Sequence, residues 1–163
     1  MSRIVILCVE DEAEVRDALI RDLTPFAAAF HVEATEDAED ARQVVQECAA
    51  NGDRIGLILC DHLLPGTLGA DLLVEFKDQA ETSPARKVLV TGQAGLQDTI
   101  KAVNDADLDH YIAKPWTLEG LQTVVRKYLT DYVIERVDDL LPFVSTLDGA
   151  RLLESIRLRN RPE

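Results

Sequence analysis

Positive charge is scarce in this sequence. Its 163 residues include 17 lysine and arginine side chains against 30 aspartate and glutamate side chains, which gives a formal net charge of −13. A field of this sign repels nucleic acid and anionic membrane surfaces and attracts divalent cations wherever carboxylates converge. The composition therefore argues against nucleic acid or a membrane as a direct partner.

Cysteine is scarce as well. Cys8, Cys48 and Cys60 are the three cysteines, and their wide separation does not match the spacing of a zinc site. Cys8 and Cys60 stand inside apolar runs, so we expect buried thiols in a reducing compartment. A redox pair between Cys8 and Cys60 is the alternative.

Long hydrophobic runs are missing too. The first apolar run, from Ile4 to Val9, ends at acidic residues and is far shorter than the roughly 20 residues that a membrane helix needs. It also lacks the features of a signal peptide. We therefore expect a cytoplasmic protein.

Five short apolar runs alternate with amphipathic segments. The predicted strands run from Arg3 to Val9, Phe30 to Ala34, Arg54 to Cys60, Lys87 to Thr91 and Leu108 to Ala113. The predicted helices run from Glu12 to Thr24, Asp37 to Ala50, Ala70 to Gln79 and Leu96 to Ala106, and a long helix follows Thr117. Strands that are apolar on both faces indicate a parallel sheet covered by helices on both sides. The fold class is therefore α/β, with a doubly wound five-stranded parallel sheet.

Polar residues follow the predicted strands at the points where the strands end. They are Glu10 and Asp11 after the first strand, Asp61 after the third, Thr91 at the end of the fourth and Lys114 after the fifth. In doubly wound sheets the ligand site lies beyond the carboxyl ends of the strands. We therefore expect these five side chains to form one site.

Three carboxylates in one site repel each other unless a cation neutralises them. Mg²⁺ is the usual cation where carboxylates and phosphate oxygens share the coordination sphere, and Mn²⁺ is a possible substitute. Beside such a metal, Asp61 could attack a phosphoryl donor and form an acyl phosphate. Lys114 and the Thr91 hydroxyl would contact the phosphoryl oxygens.

Several motifs resemble one known family. They are Val9-Glu10-Asp11-Glu12, Cys60-Asp61-His62-Leu63-Leu64-Pro65-Gly66 with Gly69, Thr91-Gly92 and Lys114-Pro115-Trp116. In order and spacing they are similar to the receiver domain of bacterial two-component response regulators, over roughly residues 2–130. The resemblance implies a flavodoxin-like sheet with strand order 2-1-3-4-5 and a cis Lys114–Pro115 bond.

The resemblance also implies a role for each site residue. Asp61 would be the phosphoacceptor, and the metal ligands would be Glu10, Asp11, Asp61 and the backbone carbonyl of Leu63. Lys114 would bind the phosphoryl group, Thr91 would be the switch hydroxyl and Tyr111 the rotating aromatic side chain. The phosphoryl donor would be a sensor histidine kinase or a histidine phosphotransfer protein.

Three other functions fit the sequence less well. A phosphohydrolase with an aspartyl nucleophile usually has a second acid two residues further on, where this chain has Leu63. An FMN-binding protein of the same topology would need a phosphate loop after the first strand, where Glu10, Asp11 and Glu12 repel phosphate. An interaction module that works without phosphorylation does not account for the complete set of polar residues.

Residues 131–163 extend beyond the predicted receiver domain of residues 1–130. Apolar residues at helical spacing continue from Leu118 to Leu140, and an unbroken helix over this range would be about 35 Å long. Its distal half would then expose apolar groups, which favours a homodimer. The alternatives are that the extension folds back on its own chain or leads to a missing output domain.

The sequence thus predicts a single-domain response regulator that signals through a conformational switch to a downstream protein partner. Phosphorylation would change the face formed by the helix over 96–106, the fifth strand and the helix after Thr117. The alternatives are a phosphorelay intermediate or the receiver part of a larger response regulator. The domain would catalyse its own phosphorylation and slow dephosphorylation, without turnover of an external metabolite.

Overall fold

The computed structural model of the chain describes residues 2–92 and 104–162. Most of the helix predicted from Leu96 to Ala106 lies outside these described residues.

Five parallel strands form one sheet. The strands are Ile4–Val9 (β1), His31–Thr35 (β2), Arg54–Cys60 (β3), Arg86–Thr91 (β4) and His110–Ala113 (β5). Their order in the sheet is β2-β1-β3-β4-β5, and every neighbouring pair is parallel. The predicted doubly wound sheet and its strand order are confirmed.

Five helices of eight or more residues are found within the described ranges. They are Ala13–Asp22 (α1), Ala38–Asn51 (α2), Gly69–Lys77 (α3), Leu118–Arg136 (α4) and Gly149–Arg159 (α5). The side chains of Asp37, Thr117 and Asp148 cap α2, α4 and α5 by accepting a hydrogen bond from a backbone N–H in the first turn. No helix in the described part of the chain is long and apolar enough to cross a membrane.

The sheet has a separate apolar core on each face because side chains alternate along each strand. One core contains Cys8 and the residues packed by α1 and α4, and the other contains Cys60 and the residues packed by α2 and α3. Both thiols are fully buried, and burial raises their pKa. The prediction of buried thiols is confirmed, and the proposed redox pair is wrong because the two side chains lie on opposite faces.

The carboxyl-terminal extension folds back onto the same chain. Helix α4 ends at Arg136, and the buried residues Leu140, Leu147 and Leu152 join the core on the α1 and α4 face. The ring of Phe143 in the following 3₁₀ turn lies 5.5 Å from that of Phe30. The expectation of an unbroken helix to Leu140 is therefore wrong.

Two features explain this turn. Val137 has an extended backbone, with φ −115° and ψ 134°, which directs the following apolar residues toward the core. Pro142 prevents the helix from resuming across this segment. The Arg159 guanidinium then donates to the carbonyls of Val137 and Asp138 at 2.9 and 3.0 Å. These contacts cover the carboxyl end of α4 and hold α5 against it.

Candidate functional site

Backbone hydrogen bonds align the strand ends that carry the predicted site. The N–H of Glu10 donates to the carbonyl of Thr35 at 2.9 Å, and the N–H of Asp61 donates to that of Val9 at 2.9 Å. These bonds continue the parallel ladder one residue past β1 and β3. The side chains that follow the strands are therefore fixed at one edge of the sheet.

The three predicted carboxylates meet at this edge. One carboxylate oxygen each from Glu10, Asp11 and Asp61 lies within 4.8 Å of the other two. Glu10 and Asp61 are only 2% and 5% exposed, whereas Asp11 is exposed. The structure thus brings together the acidic residues that the sequence singled out.

Lys114 reaches the same cluster from the end of β5. Its ammonium nitrogen lies 3.0 and 2.9 Å from the two carboxylate oxygens of Glu10 and 3.3 Å from Oδ2 of Asp61. The lysine therefore partly neutralises two buried carboxylates at once. The Lys114–Pro115 peptide bond is cis.

The charges of the cluster do not balance. Burial, with the nearby charge of Asp61, raises the pKa of Glu10 to about 7, although Lys114 opposes this shift. Burial would lower the pKa of Lys114, but its hydrogen bond to Glu10 and the charges of both acids raise that pKa instead. Three carboxylates share one lysine, so the site can take a further positive charge.

A hard divalent cation suits this site. Its oxygen donors come from carboxylates and lie close enough to each other to share one ion. Leu63 lines the same open groove, and its side chain is half-exposed. A metal-binding role for the Leu63 carbonyl remains a prediction.

Gly69 determines how closely helix α3 approaches Asp61. A Cβ atom at Gly69 would lie 1.9 Å from the backbone oxygen of Asp61, so only glycine fits without moving the backbone. The N–H of Gly69 donates to the carbonyl of His62 at 2.6 Å. The family motif includes Gly69, and the structure supplies its physical reason.

Thr91 and Tyr111 lie beside the cluster on the last two strands. The Thr91 carbonyl accepts hydrogen bonds from the Tyr111 hydroxyl at 2.9 Å and from the Lys114 N–H at 3.3 Å. Thr91 is buried and Tyr111 is half-buried. All the predicted site residues thus lie at one edge of the sheet, and their roles remain predictions.

Two contacts near the site could not be predicted from the sequence. The Arg16 guanidinium donates to the backbone carbonyl of Glu10 at 2.9 Å, and the Trp116 indole N–H donates to Oδ2 of Asp22 at 2.9 Å. The first bond ends on a main-chain atom, and the second joins residues 94 positions apart. Neither leaves a pattern in the sequence.

An open groove of about 770 Å³ connects these features. It runs between α1 and the loop after β5, and its walls include Asp61, Thr91, Lys114, Arg21 and Trp116. The buried Asp61 carboxylate can therefore be approached from solvent along α1.

The sequence and the fold are both similar to those of known response regulators. The profile of the response regulator receiver domain matches residues 6–126. The hydrogenase transcriptional regulatory protein HoxA of Cupriavidus necator is 30% identical over 122 residues, which cover 75% of this chain and 23% of that protein. This chain therefore spans about a quarter of the length of HoxA.

Two solved structures share the fold over most of their length. The signal receiver domain of an HD domain-containing protein from Pseudomonas fluorescens Pf-5 has a TM-score of 0.71 and 25% identity, and the match covers 83% of this chain and 93% of that chain. A CheY-like response regulator receiver domain protein from Methanospirillum hungatei JF-1 has a TM-score of 0.70 and 26% identity, with 82% and 99% covered. The matched profile spans most of the sequence, and the acidic cluster lies where the motifs predicted it. The chain belongs to the response regulator receiver domain family.

Proposed function

We propose that this receiver accepts a phosphoryl group on the carboxylate of Asp61. The donor would be the phosphohistidine of a sensor histidine kinase or of a histidine phosphotransfer protein. The observation that carries the proposal is the position of Asp61, a nearly buried carboxylate within reach of two other carboxylates and of Lys114. A solvated aspartate in a turn would have no such surroundings.

In the transfer step, a carboxylate oxygen of Asp61 attacks the phosphorus atom of the donor. The new bond is an acyl phosphate, and the phosphorus–nitrogen bond of the phosphohistidine breaks. The bonding electrons and a proton stay on the histidine ring. The protein then needs only to position the groups and stabilise negative charge.

Each of the remaining site residues has a role in this step. Glu10, Asp11, Asp61 and the Leu63 carbonyl would hold a divalent cation. When bound there, Mg²⁺ or Mn²⁺ would offset the negative charge of the phosphoryl oxygens. Lys114 already lies 3.3 Å from an Asp61 oxygen, so it can donate to a phosphoryl oxygen attached to the same carboxylate.

Thr91 and Tyr111 would carry the change outward. A phosphoryl group on Asp61 offers an acceptor to the Thr91 hydroxyl and thereby draws the end of β4 toward it. The Tyr111 hydroxyl bonds the carbonyl of Thr91, so a shift of Thr91 would alter the position of this ring. Phosphorylation would thereby shift the equilibrium between two conformations of the surface around β5 and α4.

The output of this switch would be contact with a downstream protein, and we propose that the extension also mediates a homodimer. HoxA is named as a transcriptional regulator, and this chain matches about a quarter of it. A phosphorelay intermediate and a receiver joined to an output domain therefore stay as alternatives to a single-domain regulator. The domain would promote only its own phosphorylation and dephosphorylation.

A small phosphoryl donor such as acetyl phosphate, supplied with Mg²⁺, tests the proposal. The wild-type chain should gain one labile phosphoryl group, whereas Asp61→Asn should gain none. Asp17→Asn is the matched control because Asp17 is an exposed aspartate of α1 and should be phosphorylated normally. Labile phosphorylation of Asp61→Asn at the wild-type rate would refute the assignment.

A further inference from the structure

The carboxylate of Asp22, at the end of helix α1, lies in electrostatically unfavourable surroundings. Asp22 is the last residue of the helix and is only 8% exposed. The carboxyl end of a helix carries partial negative charge, and burial removes water from the carboxylate. Asp22 must therefore be stabilised by specific partners.

Trp116 provides a partly buried partner for this carboxylate. Its indole N–H donates to Oδ2 of Asp22 at 2.9 Å, and its ring packs against the core on the α1 and α4 face. The exposed Arg21 pairs with the other oxygen at 3.2 Å. The amide of Gln122 donates to the Asp22 backbone carbonyl at 2.9 Å, which joins α4 to α1 without using the carboxylate.

The bond between Asp22 and Trp116 also anchors the loop that carries Lys114. This loop leaves β5 after Ala113 and enters α4 at the capping residue Thr117. Trp116 lies two residues after Lys114, whose ammonium group reaches Glu10 and Asp61. The end of the loop that precedes α4 is held to α1 by the hydrogen bond from Trp116 to Asp22.

We propose that Asp22 is a positioning residue for the phosphoryl-transfer site. Its carboxylate fixes the position of Trp116. Because Trp116 lies in the same loop as Lys114, this contact also fixes the position of Lys114 relative to the acidic cluster. This inference rests on the proposed role of Asp61 and Lys114, and it assigns a function to a residue outside the five strand-end side chains.

Loss of this anchor should affect two properties in opposite directions. Lys114 and a divalent cation both pair with Glu10 and Asp61, so a poorly placed Lys114 competes less and the cation binds more tightly. The same displacement removes a donor from the phosphoryl oxygens, so transfer becomes slower. General destabilisation of the fold would instead weaken cation binding and slow phosphoryl transfer.

The experiment compares four single-substitution variants and one double variant of the full chain. Asp22→Ala removes the acceptor, Trp116→Phe removes the donor and keeps an aromatic ring, and Asp22→Asn keeps an acceptor oxygen. Gln122→Leu is the control because it removes the bond to the Asp22 carbonyl and leaves the indole bond intact. Mg²⁺ affinity is measured by calorimetry, and the phosphorylation rate is measured with acetyl phosphate.

Asp22→Ala and Trp116→Phe should each slow phosphorylation by about two- to tenfold, the range for the loss of one hydrogen bond, and should tighten Mg²⁺ binding. Asp22→Asn and Gln122→Leu should stay close to wild type. The double variant Asp22→Ala/Trp116→Phe should be no slower than either single variant, because both changes remove the same bond. If Asp22→Ala does not fold, Trp116→Phe decides the question alone.

A spectroscopic readout is independent of phosphorylation. Trp116 is the single tryptophan, so the chain gives one indole N–H resonance. Added Mg²⁺ should shift this resonance in the wild type, because the cation changes the partners of Lys114, and the shift should be smaller in Asp22→Ala.

Two results would overturn the inference. One is a wild-type rate and Mg²⁺ affinity in both Asp22→Ala and Trp116→Phe. The other is a parallel loss of rate and affinity that Gln122→Leu shares. A wild-type chain that takes up no phosphoryl group would refute the proposed function instead, and the indole resonance would still test the anchor.

Discussion

At the scale of single residues, we expect Glu10 to link the protonation of the site to cation binding. Its carboxyl is nearly buried beside Asp61, and its pKa is raised from 4.5 to about 7, mainly by burial. A carboxyl with a higher pKa in the folded chain favours folding at low pH. That contribution is fully present below 4.5 and is lost as the pH rises through 7.

The same shift predicts how Mg²⁺ affinity depends on pH. Below its pKa Glu10 is protonated and must release the proton before it can bind a metal. Affinity should therefore rise as the pH increases through about 7 and level off about one unit above. Calorimetry in buffers of different ionisation enthalpy would measure the proton release directly.

The variant Glu10→Gln provides the control for this prediction. It cannot ionise, so the pH dependence near 7 should disappear, and the affinity should fall because one ligand is weakened. An affinity that is equal on both sides of pH 7 in the wild-type chain would contradict the titration assigned to Glu10.

Single residues also show what a sequence can and cannot reveal. Glu10, Asp61 and Lys114 were predictable because strand ends are visible in the apolar pattern and parallel strands bring those ends together. Lys87 was not, although it is 2% exposed and its ammonium donates to the carbonyls of Thr82, Ser83 and Ala85. Contacts with main-chain carbonyls depend on the path of the backbone, so no residue pattern marks them.

At the scale of secondary structure, the central strands were easier to predict than the edge strands. Strand β3 runs from Arg54 to Cys60 as predicted because it is buried on both faces. Strand β2 is shifted by one residue and β5 is two residues shorter than predicted. Edge strands are partly exposed, so their apolar pattern has weaker boundaries.

The extension shows a different kind of ambiguity. The apolar spacing that suggested a helix to Leu140 is also satisfied by a helix that ends at Arg136 and a chain that turns inward. In the first arrangement a second copy of the chain would cover the apolar residues, and in the second the core of the same chain covers them. Both arrangements bury the same residues, so local periodicity cannot distinguish them.

Two neighbouring leucines of α5 test the folded-back arrangement. Leu152 is fully buried in the core, whereas Leu153 is 52% exposed. Leu152→Ala should lower the free energy of unfolding by about 2–5 kcal/mol, and Leu153→Ala should change it by less than about 0.5 kcal/mol. Denaturant unfolding of both variants measures the difference.

Equal, small effects of the two leucine substitutions would show that α5 is not packed on the domain in solution. A large effect of Leu152→Ala would support a continuous core that includes both the receiver and residues 140–152. Removal of everything after Thr130 would then also remove buried residues such as Tyr132 and Val133.

At the scale of the whole molecule, the homodimer remains a prediction, but different residues now support it. Helix α4 ends at Arg136 and does not overhang the domain as first expected, but Leu141, Leu153 and Leu158 are each at least half-exposed on the extension. These leucines offer apolar area to a second copy of the chain. Sedimentation of the full chain at micromolar concentration should therefore show dimers.

The substitution Leu153→Glu should shift this equilibrium to monomers without unfolding the chain, because the side chain is exposed. The exposed Ile20 on α1 offers a matched control, since Ile20→Glu places the same charge away from the extension. A monomeric wild-type chain at the same concentration would rule out this dimer.

The location of the phosphoryl group tests the central claim most directly. Treatment with acetyl phosphate and Mg²⁺, followed by borohydride, reduces an aspartyl phosphate to homoserine, which mass spectrometry of peptides can locate. The account predicts homoserine at position 61 and an unmodified His62 beside it. Modification of Glu10, Asp11 or His62, with Asp61 intact, would contradict it.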